Sequence, residues 1–424
     1  MTNTRRSFLG GLTGVAAGLT YSSSAAATPQ QLRQLLAVNL SHENYWNQVA
    51  SQFPLRPGKI PMNAANLCPS PRVVSERVAE LTRDEDADCS NPNRAKFAAL
   101  LEESRQKVAG QIGVSPDEVA LVRNTSEANN VINNGIALSA GDEVVLWEQN
   151  HPCNNAAWDV RAARHGFKIK RVAVPPAPRS SDEIVKLFEA ALTPRTKVLS
   201  ITYISNTTGF RLPAKALCSL ARQRGIYAHL DGAQTWGYLK LDLKDIGCDS
   251  FGASAHKWLM GPKEAGLLYV RKERIPQVWP SIVSAGWSPD ALTATVASKK
   301  FEILGQRDDG CLSAVGTAVD FHRVVGLENV EARTTELAGA LKEGLAKISR
   351  VKLVTPMSPE MSGGVVIAQV SDLDRAKTGA LVKDLYDKYG IAGAATGGVR
   401  LAPHVYNTMA DIETAIRGMR ELLG

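Results

Sequence analysis

A chain of 424 residues, 44% hydrophobic and 21% charged, with 34 Gly and 21 Pro spread along it, has the proportions of a soluble globular protein. Wholesale disorder, collagen and a membrane bundle are excluded, and two lobes are expected because single cores stop growing at roughly 250 to 300 residues. The 49 Lys and Arg are interspersed with 42 Asp and Glu, so the net charge of +7 does not mark a nucleic-acid partner.

The chain opens with Thr4-Arg5-Arg6-Ser7-Phe8-Leu9, runs through an acid-free, Gly-rich apolar stretch to Leu19 and reaches Ala25-Ala26-Ala27. This order resembles a twin-arginine (Tat) export signal, residues 1–27, with a small-residue cleavage pattern. It implies the Tat machinery as a partner and a periplasmic or otherwise extracytoplasmic destination. That route carries folded proteins, commonly ones that have already captured a cofactor. No other stretch approaches the ~20 apolar residues of a membrane span.

A polar helical segment is expected over 28–60, followed by a large domain over 61–285. In it, Glu118–Val122, Glu143–Trp147, Lys197–Tyr203 and Ile226–Leu230 read as strands, and Ser126–Ile136, Asn154–His165, Asp182–Leu192 and Ala214–Arg224 as helices. The alternation predicts an α/β fold, a mostly parallel sheet with helices on both faces and ligands at the carboxyl ends of the strands. Over 286–424 the pattern changes to the helices Gly310–Val325 and Thr334–Ser349, the strands Val351–Val354 and Gly364–Val370, and a last helix Ala410–Leu423. This predicts a smaller α+β C-terminal domain.

Cys68, Cys89, Cys153, Cys218, Cys248 and Cys311 contain no CxxC pair and no nearby His at zinc-finger spacing, so no metal site is expected. Most of them, Cys153 included, read as small packing residues.

Chemistry concentrates just after strands. Ser254-Ala255-His256-Lys257-Trp258 sits between the apolar runs Ser250–Ala253 and Gly266–Val270. A lysine lodged there is costly to desolvate, and the resulting neutral amine is what a Schiff-base nucleophile requires. Asp231 ends the strand Ile226–Leu230, in Asp231-Gly232-Ala233-Gln234. An acid at that point, one strand before the lysine, suits pyridoxal phosphate (PLP), whose ring nitrogen it keeps protonated. Asn124-Thr125-Ser126-Glu127 opens a helix after a strand and reads as a phosphate cradle or as a simple N-cap. His151, in Glu148-Gln149-Asn150-His151-Pro152, reaches the same sheet edge. Taken singly, the lysine is equally a turn residue, Asp-Gly is usually just a turn, and a lone His there is more often a polar loop residue.

Together these residues resemble the class V aminotransferase family of PLP-dependent enzymes, fold type I, which includes cysteine desulfurases, isopenicillin-N-epimerase-like proteins and several lyases. The resemblance runs from about Asn63 to the C-terminus. It implies PLP as cofactor, Lys257 as the Schiff-base lysine, Asp231 as the partner of the pyridine nitrogen and His151 as the imidazole stacked on the ring. Gln234 matches the contact to the phenolic oxygen, and Asn206, in Ser205-Asn206-Thr207-Thr208-Gly209, an asparagine beside the cofactor. Thr125, Ser126, Ser254 and His256 match phosphate contacts. Arg400, in Val399-Arg400-Leu401-Ala402-Pro403-His404-Val405-Tyr406-Asn407-Thr408, matches the arginine that grips the substrate carboxylate. A guanidinium fork suits that role, the plain alternative being a salt bridge to a core acid.

The chain also departs from the pattern. Tyr389–Gly398 (YGIAGAATGG) carries no cysteine where desulfurases place their nucleophile, which argues against persulfide formation. The family implies a homodimer in which a Thr after Gly reaches the neighbouring subunit's phosphate, yet Gln306 stands there in Gly305-Gln306-Arg307-Asp308. The expected activity is at the α-amino group of an amino acid or a peptide-like amino-acid moiety, as transaminase or isopenicillin-N-epimerase-like enzyme. The alternatives are a β-lyase acting on carbon–sulfur bonds and a non-catalytic binding protein that keeps the fold.

Overall fold

The structure, a computed structural model, describes residues 42–176, 178, 180–285 and 297–424. The expected export signal and the first part of the helical lead-in lie outside these residues. Of the lead-in, α1 (His42–Ala50) is described, and it is followed by the short strand β1 (Ile60–Pro61) and the helices α2 (Arg72–Ala87) and α3 (Asn91–Gln111).

The large lobe then alternates as expected. Its order is β2 (Val119–Val122), α4 (Thr125–Gly135), β3 (Glu143–Trp147), α5 (Pro152–His165), β4 (Lys168–Val172), α6 (Ser181–Ala191) and β5 (Thr196–Thr202). It continues with α7 (Ala214–Gln223), β6 (Tyr227–Asp231), the single turn α8 (Leu243–Ile246), β7 (Ser250–Ser254) and β8 (Gly266–Val270). The seven strands lie in the order β2-β8-β7-β6-β5-β3-β4, with only β8 antiparallel to its neighbours. Period-2 alternation feeds a core on each face. Val145 and Trp147 pack with α6 and α7, while Val144 and Leu146 pack with α4 and α5. The strand β4 was not expected: it is an edge strand, Lys-Ile-Lys-Arg-Val, whose cations face water and hide the apolar run.

The remaining elements are α9 (Asp309–Ser313), α10 (Val315–Val325), α11 (Leu327–Leu345), β9 (Val351–Leu353), β10 (Val366–Val370), α12 (Arg375–Tyr389), β11 (Ile391–Ala392), β12 (Ala394–Ala395), β13 (Val399–Leu401) and α13 (Met409–Leu423). A four-stranded sheet, β12-β13-β10-β9, is covered by α11, α12 and α13. The small-lobe core begins within α11, at Leu337, whereas Val315, Val319 and Phe321 of α10 pack with the first core. Met62, from near the start of the described chain, also belongs to the small-lobe core. Its segment is zipped there by β1–β11 pairing and by the Ala402 N–H donating to the Met62 carbonyl at 2.7 Å. An apolar period marks a buried face without saying which surface covers it, which is why a linear boundary near residue 285 does not coincide with the change of core.

Two hydrogen bonds tie the lobes together beside the site. The Thr355 hydroxyl donates to the Thr208 carbonyl at 2.7 Å, and the Gly363 N–H to the Gly209 carbonyl at 3.1 Å. Gly209 has φ +71°, and a Cβ there would meet the Val365 oxygen at 2.1 Å, so only glycine permits this approach.

Candidate active site

Because β8 runs against β2 and β7, the strands β2, β3, β5, β6 and β7 all end on one edge of the sheet. Seven of the expected residues therefore converge: Thr125, Ser126, His151, Asp231, Ser254, His256 and Lys257 line one cleft, together with Asn129 and Cys153.

Lys257 follows β7 in a turn pinned by the Gly261 N–H on the Ala255 carbonyl and the Met260 N–H on the Lys257 carbonyl, at 2.8 and 2.9 Å. Met260 closes that turn at φ +55°, a conformation that costs a non-glycine residue about 1 kcal/mol or more. Trp258 anchors it from behind: its indole donates to Gln234 Oε1 at 2.8 Å and its carbonyl accepts from His404 Nε2 at 2.8 Å. Burial holds the Lys257 ammonium below its ordinary pKa; Asp231 opposes this and Arg400 adds to it. Burial thus eases loss of the ammonium proton.

Asp231 is 1% exposed and accepts at both oxygens, from Asn129 Nδ2 at 2.9 Å and from the Ala233 N–H at 3.0 Å. His151 accepts the Cys153 N–H on Nδ1 at 3.2 Å, and burial together with Lys257 lowers its pKa, so the neutral ring carries its proton on Nε2. His256 is likewise pushed down to about 4 by burial and by Lys257. At the start of α4, the Thr125 N–H and hydroxyl meet Ser254 Oγ at 2.8 and 2.7 Å, while Asn124 caps the Glu127 N–H at 3.0 Å. The segment is an N-cap and lines the cleft at once, and the first-turn amides of a helix have no partner within it.

Gln234 lies under the lysine turn, its Nε2 donating to the Ala65 carbonyl at 2.9 Å. Asn206 gives its backbone carbonyl to Arg400, while its buried Oδ1 has no partner. Arg400 itself, only 6% exposed on β13, reaches the Asn206 carbonyl at 3.2 Å and Asn63 Oδ1 at 3.1 Å. Its Nε is unpartnered, and among the described residues no carboxylate lies within salt-bridge distance of it. Burial pushes its pKa down to about 10. Among the described residues the core salt bridge weighed above is absent, and the guanidinium keeps donor capacity free.

Three residues in or beside the cleft had no functional part in the sequence reading. Asn129 is one helical turn after Thr125, a spacing that places both on one face of α4. Asn63 pairs with Arg400 across 337 positions, which no local pattern shows. Cys153 is a correction: it is exposed and lines the cleft rather than packing in the core, because it starts α5, where the chain leaves the sheet edge. Only Cys68, Cys218 and Cys248 are buried, and all six thiols are free. Gln306 is also exposed; its Oε1 accepts from Arg94 at 2.8 Å, within this same chain.

A carboxylate, an amine of lowered pKa, an imidazole and a hydroxyl-lined helix start, with the orphaned Asn206 Oδ1 and Arg400 Nε nearby, form a donor set that fits PLP and a carboxylate guest. The profile described as Aminotransferase class-V matches residues 65–418. The chain belongs to the class-V aminotransferase family. It is a PLP-dependent enzyme of that family. An isopenicillin N epimerase of Amycolatopsis lactamdurans is 31% identical over 395 residues, covering 89% of this chain and 98% of the relative. A cysteine desulfurase of Pectobacterium atrosepticum is 26% identical over 408 residues, covering 88% and 97%. Among solved structures, a C-DES variant with glycine covalently linked to the PLP cofactor superimposes with a TM-score of 0.79 at 20% identity, covering 88% of this chain and 98% of that one. That similarity supports fold type I. No helix among the described residues is long and apolar enough to cross a membrane.

Proposed function

We propose that this class-V enzyme withdraws the Cα proton of a carboxylate-bearing amino acid or peptide-like amino-acid moiety and returns it, as an isopenicillin-N-epimerase-like enzyme or a transaminase. The observation that carries this reading is the buried Arg400 guanidinium, without an acid of its own, within electrostatic reach of Lys257. PLP, when bound, supplies an electron sink for the negative charge left at Cα.

The chain's own residues do the rest. Lys257, its pKa lowered by burial, would hold the cofactor and then take the Cα proton on Nζ. With PLP bound, Asp231 would keep a proton on the ring nitrogen, His151 would stack on the ring, and Gln234 and Asn206 would lie at its polar edge. Thr125, Ser126, Ser254 and His256 would hold the phosphate at the start of α4. Arg400 grips the carboxylate and so decides which bond at Cα stands perpendicular to the ring. The relative named isopenicillin N epimerase supports the epimerase-like outcome. The cysteine-free segment Tyr389–Gly398 speaks against persulfide formation. The Arg5-Arg6 opening supports export by the Tat route and action outside the cytoplasm, and the family resemblance supports a homodimer.

The test is incubation of the PLP-loaded protein in D2O with free amino acids and with peptide-like amines, followed by chiral and mass analysis. Deuterium at Cα with inversion marks epimerisation, and an oxo acid formed without ammonia marks transamination. Either result abolished by Lys257→Ala supports the reading. Exchange that survives Lys257→Ala, or ammonia released with a β-substituent, overturns it.

A further inference from the structure

Behind Asp231 the sheet holds a second row of buried polar side chains that the chemistry above does not use. His229 stands two residues before Asp231 on β6 and so shares its face, and Ser250 is its register partner on β7. Asn129 comes down from α4. What lets it approach is Gly252, the register partner of Asp231: a Cβ there would meet Ala128 Cβ at 2.7 Å and Asn129 Oδ1 at 3.3 Å. Asn129, His229, Asp231 and Ser250 are all at most 3% exposed.

The hydrogen bonds run in one direction. Asp231 Oδ2 can only accept, so the Asn129 group 2.9 Å away is its NH2. That turns Asn129 Oδ1 toward His229 Nε2 at 2.9 Å, and an amide oxygen requires the proton on Nε2. Burial keeps the ring neutral, with a pKa lowered to about 4, so Nδ1 is bare and accepts the Ser250 hydroxyl at 2.8 Å. Reversing any member sets acceptor against acceptor between groups at most 3% exposed.

We infer that Asn129, locked in orientation by His229 and Ser250, is a positioning residue for Asp231. The inference rests on the reading that Asp231 faces the ring nitrogen of PLP. With Oδ2 engaged by Asn129 and Oδ1 by the Ala233 N–H, the carboxylate holds one rotamer, and its remaining acceptor capacity faces the cleft. The relay supplies donors to Asp231 from behind while adding no charge of its own.

Two measurements test this. In 15N-labelled protein before PLP loading, the His229 ring, identified by its loss in His229→Asn, is expected as the neutral Nε2–H tautomer at pH 7. A charged ring or an Nδ1–H tautomer overturns the relay. In PLP-loaded protein, Asn129→Ala is expected to weaken PLP binding about tenfold, the size of one lost charge-assisted hydrogen bond, and to move the pH midpoint of the bound cofactor's visible band. A lowered melting temperature with unchanged PLP affinity and midpoint marks a merely structural asparagine and overturns the proposal. Should Asn129→Ala not fold, Ser250→Ala is expected to shift the His229 tautomer balance and the cofactor midpoint in the same sense by a smaller amount, and no shift in either overturns it. Failure of the wild-type protein to bind PLP would instead refute the underlying reading, and the His229 tautomer then decides the relay by itself.

Discussion

Asp231 and Arg400 are both buried and both act electrostatically on Lys257, yet they are furnished in opposite ways. The carboxylate is met by donors at both oxygens and backed by two further polar groups, His229 and Ser250. The guanidinium has two neutral oxygens, a bare Nε and a pKa that burial has pushed down to about 10. A group that holds a permanent cofactor gains from being fixed before the cofactor arrives. A group that grips a guest is better left unsatisfied, since a buried charge without a partner is relieved by each guest that binds.

The sharpest way to break this comparison begins beside it, at Lys257. Lys257→Ala is expected to lower turnover by at least ~10³-fold while leaving the fold intact, as checked by single-turnover kinetics and circular dichroism. Arg400→Met is expected to raise KM for carboxylate substrates by ~10²-fold, to leave substrates with an esterified carboxylate unaffected, and to cost little thermal stability, because removing a buried charge without an acid offsets the hydrogen bonds lost at the Asn206 carbonyl and Asn63. Asp231→Ala should lose both activity and about 1 to 3 kcal/mol of stability, since it strands the Asn129 amide; equal stability of the two variants in urea would collapse the contrast. Asn63→Ala removes one hydrogen bond from Arg400 and is expected to raise KM by only about threefold to tenfold.

A pH scan of stability sharpens the view of the polar row. His229 and His322 are held near 4 and His404 near 3, all by burial. Between pH 4 and 6.5 the unfolded chain binds more protons than the folded one at each of these, so their contribution is full above 6.5 and fades as pH falls. Each histidine adds a slope of up to about 1.4 kcal/mol per pH unit in that window. Urea midpoints measured from pH 7 to 4.5 should fall, less steeply in His229→Asn.

Much of this was legible in the chain. Strands such as Glu143–Trp147 and Gly266–Val270 emerged with the expected bounds because both faces are buried and their apolar runs are unbroken. The cleft residues were legible because the chemistry sits at strand ends, which a period-2 run locates. The edge strand β4 was not, since its outward cations mask the pattern, and α3 was not, since its buried set of Phe97, Ser104, Arg105, Val108 and Ala109 mixes polar with apolar residues.

By itself the sequence determined the cofactor class and the residues gathered at one cleft, because Asp231, Thr125 and Lys257 each take their place from the strand immediately before them. Only the tertiary structure decided that Arg400 meets no acid among the described residues, that Cys153 faces the cleft and that the Asn129 amide points its NH2 at Asp231. Those facts depend on contacts between residues 102 and 337 positions apart, where the packing of helix on sheet and lobe on lobe, not local periodicity, chooses the partner.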